Sequence, residues 1–386
     1  MNKFFKYILM AVAVVAMAAP FTSCSEDKLG PSIFPEVPEG SEVDPDASTY
    51  QLDKWLKENF LDVYNLQFMY KYVDVGTDMN YNLLPADYNK SVDIAVLTKY
   101  LWFDSYEEVT GSPEFLKQYG PRILMLVGSP AYNPNTGTIL LGLAEGGIKV
   151  TLFRVNDART NNFADLNEYL FRTMHHEFSH ILHQTKTIPQ EFQLISTGKY
   201  DASNWQARND GEVNSLGFFT PYASSEVRED FAETIANYIT RTDEELARIR
   251  KNAARGWIQD PGESEDANGQ KVFYCFFYYT NNEANPDNLT YVKERDVNEV
   301  VDESGNVSYY HRTLKDDSGN PLVVYPVPDE DGVDGVAVLE QKLQIVRNWF
   351  QDEWNIDLDK LREVVQRRQL NFDLEALRQQ VYGIGK

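Results

Sequence analysis

Residues 174–183 read MHHEFSHILH and hold four of the chain's five histidines, His175, His176, His180 and His183. No other stretch restricts the fold as much. His176-Glu-Phe-Ser-His180 spells H-E-x-x-H, a pattern that has chemical meaning only on a helix. Residues four apart on an α-helix lie about 40° apart around the axis and one turn along, so both imidazoles can address one ion. Glu177, about 100° from His176, sits beside that ion and can act on a nearby water instead of ligating.

The flanking residues predict what this helix rests on. Leu170, Met174, Phe178 and Leu182 recur every fourth residue as an apolar stripe, and Met174 stands about 200° from His176. The stripe faces the core and the histidine pair faces away from it, so the spacing is not that of two core histidines. His183 shares the face of His176 but lies about 10 Å further along the axis. An ion held at about 2 Å by the first pair does not reach it. His183 is therefore expected behind a ligand or in the pocket wall, and His175 among packing or surface residues.

A catalytic zinc site takes three protein ligands and keeps one position open. His311, the remaining histidine, falls in a segment of different character, so the third ligand is sought among carboxylates. Residues 222–233, YASSEVREDFAE, supply Glu226, Glu229, Asp230 and Glu233. On a helix, 226, 229 and 233 share one face while Phe231, Ile235 and Tyr238 pack on another. Spacing alone does not choose between the carboxylates.

HEFSH followed by Tyr222, and then by Glu229-Asp-Phe-Ala-Glu233, resembles the catalytic end of the lethal-factor-like gluzincins. It is still more similar to the putative zinc-binding metallopeptidases found as bacterial lipoproteins. The likeness is specific over about 165–240, with Ser179 where the lethal-factor pattern has glycine. It implies an α+β, zincin-like fold: a small mixed sheet, an active-site helix and a helical C-terminal part. It further implies one Zn2+ held by His176, His180 and Glu229, Glu177 as general base, Tyr222 as oxyanion stabiliser, and Glu233 supporting a ligand. The activity implied is a zinc metalloendopeptidase acting on protein or peptide. In such folds an edge strand above the motif helix pairs with extended peptide. Ile148–Val155 is the expected edge, with Thr138–Leu143 the alternative.

The N-terminus predicts export. Lys3 and Lys6, an apolar run from Ile8 to Ala19, and small residues before Cys24 form a signal peptide over 1–23, too short for a membrane span. Phe-Thr-Ser-Cys24 resembles a lipobox, which implies cleavage before Cys24 and lipidation of it. The acidic Ser25-Glu26-Asp27 resembles a signal for the outer surface, so the expected location is that of a surface-exposed outer-membrane lipoprotein. Residues 24–47, rich in Pro, Glu, Gly and Ser, read as a flexible tether. The chain has two cysteines, and with Cys24 lipidated Cys275 has no disulfide partner. Stability then rests on core burial. A formal charge of −23 excludes nucleic acid as a partner. Membrane contact is expected through the lipid only, and the family resemblance suggests other surface nutrient-uptake proteins as partners.

From residue 48 to 386 the pattern is that of a folded domain. Leu52, Trp55, Leu56 and Phe60 predict a helix, Leu66–Val75 a strand, and Ile94–Phe103 a helix. Arg122–Val127, Thr138–Leu143 and Ile148–Val155 predict strands before the motif helix. Further helices are expected at Glu226–Ile239 and Asp243–Ala254, then through Leu339, Leu343, Val346 and Phe350, and again through Leu358, Leu361 and Val365. Residues 260–333 read as a β-rich insertion, with strand-like KVFYCFFYY, LTYVKERDV, VSYYHRTL and LVVYPV. Within it Phe273–Tyr279 is taken as strand core in preference to a sugar-stacking surface. The acidic run at Asp329, Asp331 and Asp334 is read as a solvated turn in preference to a calcium loop. A rival function is a non-catalytic surface lipoprotein that binds peptide or glycan through the insertion and keeps zinc as structure. Glu177 and Tyr222 argue for the enzyme, because a structural site needs neither.

Overall fold

The computed structural model describes residues 43–72, 83–132, 139–140, 142–145, 148–259, 273–279, 289–327 and 332–383. The expected signal peptide, Cys24, most of the tether, Asp329 and Asp331 lie outside them. Two units are distinguished, Met1–Tyr50 and Gln51–Lys386. In the first, residues 43–50 are described and are mostly turns.

The larger unit mixes helices with small sheets. A helix over Tyr50–Leu56 leads to β1 (Gln67–Met69), shorter among the described residues than the predicted Leu66–Val75. Helix α1 (Tyr88–Leu97) starts before the predicted Ile94, because the Asp87 carboxylate accepts from the N–H groups of Asn89 and Lys90 and caps it there. It runs through a wide π-helical turn, Thr98–Phe103, into a helix over Asp104–Thr110. The strands β2 (Ile123–Leu126), β3 (Ala131–Tyr132), β4 (Ile139–Leu140), β5 (Gly142–Glu145) and β6 (Lys149–Leu152) follow.

The main sheet has the order β1-β2-β6-β5, with β1, β2 and β6 parallel and β5 antiparallel to β6. This overturns the expectation that Ile148–Val155 forms the edge. That segment contributes β6, which lies between β2 and β5, and Val150 and Leu152 are fully buried beside Leu124 and Leu126. Thr151, on the opposite face, is buried as well, and a strand covered on both faces suits an interior position. Among the described residues the edges are β1 and β5, and β5 overlaps the alternative Thr138–Leu143 at 142–143.

The motif helix α2 (Arg172–Thr185) continues a helical segment that begins at Phe163, and it packs under β5 and β6. Its stripe behaves as predicted, with Leu170, Met174, Phe178 and Leu182 all buried in the main core. Helix α3 (Val227–Thr240) lies along α2, and α4 (Asp243–Ala253) follows behind a Thr242–Glu245 capping box. Phe231, Ile235 and Tyr238 on α3 enter the same core.

Residues 257–326 are strand-rich where described. β7 (Trp257–Gln259), β8 (Phe273–Tyr279) and β9 (Thr290–Lys293) pair antiparallel, while β10 (Val297–Val301), β11 (Val307–Lys315) and β12 (Pro321–Val323) form a separate sheet. β13 (Tyr325–Pro326) pairs with β8. Phe277, Tyr279, Val292, Val297 and Val324 make a small core of their own. The helices α5 (Gly335–Trp354), α6 (Leu358–Leu370) and α7 (Leu374–Tyr382) close the chain. No described helix is long and apolar enough to cross a membrane.

Candidate metal centre

His176 and His180 project from α2 one turn apart, on the face opposite the apolar stripe. That face is covered by α3, so His176 is 6% exposed without being a core residue in the usual sense. The two Nε2 atoms lie 3.1 Å apart. Glu229, in the first turn of α3, brings Oε2 to 3.0 Å from His176 Nε2 and 3.2 Å from His180 Nε2. The carboxylate sits at the positive end of the helix, where backbone N–H groups favour a negative charge. Among the described residues this is the group whose donor atoms converge closely enough to hold an ion.

The outer nitrogens of both imidazoles are engaged. His176 Nδ1 lies 2.8 Å from Glu233 Oε1, and His180 Nδ1 lies 2.8 Å from His183 Nε2. Burial drives the His183 pKa down to about 4, with the neighbouring His180 adding to the effect, so His183 is neutral and can accept. With both Nδ1–H groups donating outward, both Nε2 atoms present lone pairs inward. Two lone pairs and a carboxylate oxygen within about 3 Å repel one another unless positive charge lies among them. Burial disfavours a proton on His176, yet the hydrogen bonds to Glu229 and Glu233 prevail and push its pKa up to about 10. Burial likewise opposes ionisation of Glu229, and the bonds from His176 and His180 overcome it, holding the carboxyl well below its usual range. The group demands a cation. Its donors suit zinc, whose tetrahedral bonds of about 2.0–2.1 Å set ligand atoms about 3.3 Å apart.

The other predicted residues fall as follows. Glu177 is 8% exposed, and its charge acts on both His176 and Tyr222, which places it beside the same space. Tyr222 lies on a short turn, Tyr222–Ser224, with its ring stacked on His176 at 5.8 Å and 29°. It is 37% exposed, and burial of the phenol followed by the Glu229 charge raises its pKa. Glu233 is buried, and its Oε2 accepts from Thr220 Oγ1 at 2.6 Å and from Asn237 Nδ2 at 3.1 Å.

Glu226 does not share the face of Glu229 and Glu233. It precedes α3 in an extended conformation (φ −160°, ψ 167°), and its carboxylate pairs with Arg228 at 3.0 Å. His175 points to the opposite side of α2, buried against Tyr106 and Trp102. His311 lies on β11, where its Nδ1 accepts from the N–H groups of Thr313 and Leu314.

Three neighbours of the site were not anticipated. Thr220 and Asn237 saturate Glu233, and Trp205 packs on Tyr222 with ring centroids 4.8 Å apart. Asn237 carried a readable signal, standing four residues after Glu233 on one helix face. Thr220 and Trp205 carried none, since one comes from a loop and the other from a single 3-10 turn, Trp205–Ala207, whose placement the sequence does not specify.

A sequence model of a family described as putative zinc-binding metallo-peptidase matches residues 45–359. Among solved structures, the chain is similar to a putative zinc-binding metallo-peptidase from Bacteroides caccae. The two are 30% identical with a TM-score of 0.57, and the match covers 85% of this chain and 97% of that one. No curated protein matches the chain.

Proposed function

The chain belongs to the putative zinc-binding metallo-peptidase family, and on that premise we propose that it is a zinc-dependent endopeptidase of zincin-like, gluzincin-type architecture. One ion is held by His176, His180 and Glu229. The observation that carries this reading is the convergence of His176 Nε2, His180 Nε2 and Glu229 Oε2 within 3.0–3.2 Å, each imidazole backed by an acceptor at Nδ1.

When bound, zinc supplies a Lewis acid for the scissile carbonyl and lowers the pKa of water beside it. The protein supplies the remainder. Glu177 takes a proton from the attacking water and delivers it to the leaving amine. The Tyr222 hydroxyl, kept protonated by burial and by the nearby carboxylates, donates to the oxygen on which negative charge develops. Glu233 and His183 hold the two imidazoles in the tautomer that leaves Nε2 free. β5, an outer strand of the sheet among the described residues and packed on α2, offers its backbone groups to an extended peptide.

Location follows from the leader. Cys24 carries lipid, and the tether over 24–47 holds the folded domain off the outer membrane, where the substrate is protein or peptide and neighbours can include nutrient-uptake proteins. The strand-rich 260–333 segment is an insertion in the catalytic domain.

The test is digestion of a peptide library by zinc-loaded protein, repeated after chelation and after zinc is restored. Cleavage that disappears and returns supports the enzyme. Zinc-loaded protein that cleaves nothing points instead to a non-catalytic surface protein with a structural ion.

A further inference from the structure

Thr220 takes no part in the chemistry above, yet its hydroxyl is placed between two functional elements. It donates to Glu233 Oε2 at 2.6 Å and accepts the Ala223 N–H at 3.1 Å. Glu233 Oε1 meets His176 Nδ1 at 2.8 Å, and Ala223 follows Tyr222 in the turn Tyr222–Ser224. A run of hydrogen bonds therefore joins one imidazole of the metal group to the turn that carries the phenol. We propose that Thr220 is a positioning residue that couples metal occupancy at His176 to the placement of Tyr222. The ion's identity and the task of Tyr222 rest on the peptidase reading; the coupling itself does not.

The chemistry of each link supports this. A hydroxyl has one proton to give and lone pairs to receive, so it can serve both neighbours at once. A cation on Nε2 withdraws electron density from the ring and makes Nδ1–H a stronger donor, which tightens the bond to Glu233. Glu233 is held by His176, Thr220 and Asn237 together, so its position cannot shift without acting on Thr220. The turn beyond is stiff. Ser224 Oγ donates to Pro221 O at 2.7 Å, Ser225 Oγ to Tyr222 O at 2.7 Å, and Asp201 N to Ser224 O at 2.8 Å. Ala223 and Ser224 are fully buried. A turn braced in this way responds as a unit to a pull at Ala223. Simple capping of the turn would explain the bond to Ala223 N–H but not the shorter bond to Glu233.

The full chain is compared with Thr220→Val, which keeps the shape and removes the hydroxyl, and Thr220→Ser, which restores it. The first readout is amide hydrogen exchange across 222–225 with and without zinc. Zinc should slow exchange there by about 10-fold in the wild type and in Thr220→Ser, the size of a typical coupling between sites. In Thr220→Val zinc should still bind, about 10-fold more weakly, and the slowing should vanish. Where peptide is cleaved, Thr220→Val should lower kcat with little change in KM, and the loss should shrink in a Tyr222→Phe background. If Thr220→Val does not fold, Thr220→Ala takes its place in both measurements. Equal protection by zinc in the wild type and the hydroxyl-free variant overturns the coupling while leaving the zinc site intact. A wild type that binds no zinc overturns both. Zinc-dependent protection without cleavage of any peptide keeps the coupling and rejects only the peptidase.

Discussion

Glu233 Oε1 lies 2.8 Å from His176 Nδ1, across the ring from the nitrogen that faces Glu229. The imidazole is thus fixed between two carboxylates on the same helix, one at each ring nitrogen. Glu233→Ala should leave the fold in place and weaken zinc by about 10- to 100-fold, measured by competition with a chromophoric chelator. Unchanged affinity would show that the orientation of His176 is set elsewhere.

Glu229 and Glu226 are separated by less than one helical turn yet meet different fates, one beside both imidazoles and the other paired outward with Arg228. Glu229→Ala should strip zinc from the purified protein, because two histidines alone make a poor site. Glu226→Ala should keep it. Metal analysis of the two variants decides the matter, and equal losses would remove Glu229 from the ligand set.

Next to Glu229, Asp230 forms a fully buried pair with Lys342 of α5 at 2.7 Å, joined by the Tyr200 hydroxyl at 2.9 Å. The pair fastens the ligand-bearing end of α3 to the C-terminal helices. Lys342→Met leaves a buried carboxylate without its cation and should cost about 3–5 kcal/mol in denaturant unfolding. The double variant Lys342→Met with Asp230→Leu should recover much of that loss, since an apolar pair needs no charge compensation. A double variant no better than the single one would contradict this account.

Gly217 adopts φ 82°, its carbonyl accepts from Lys342 Nζ at 2.8 Å, and it faces Val338, whose Cγ1 would sit 2.2 Å from an added Cβ. Gly217→Ala meets both the left-handed backbone and the steric conflict. It should destabilise the protein by about 1–3 kcal/mol. A melting temperature equal to that of the wild type would count against the close approach of α5.

The site was more legible in the sequence than the sheet that frames it. His176, His180 and the apolar stripe obey one helical period, a local rule that holds wherever the helix is placed. Glu229 and Tyr222 were reached through spacing that a family resemblance made specific, whereas spacing alone also admitted Glu226. Glu226 leaves the face of Glu229 and Glu233 because the chain is still extended at 226, and helical boundaries depend on caps and turns such as the one at Tyr222–Ser224. Strand order depends on pairing between distant segments, so β6 was misplaced at the edge, although the apolar Val150 and Leu152 fit an interior strand. The helix Leu374–Tyr382 was passed over despite Asp373 as its cap and Leu377 and Val381 as its buried face. Thr220 was invisible because a single loop threonine acquires its role only when α3 and the Tyr222 turn are brought together.

The central claim is that Glu177 does chemistry at a zinc site it does not help to build. Glu177→Gln preserves the size of the side chain and removes the base. The most direct measurement pairs zinc content with peptide turnover in this variant. The account predicts about one zinc per chain, as in the wild type, with turnover reduced by at least about 100-fold. Full turnover by zinc-loaded Glu177→Gln would contradict it.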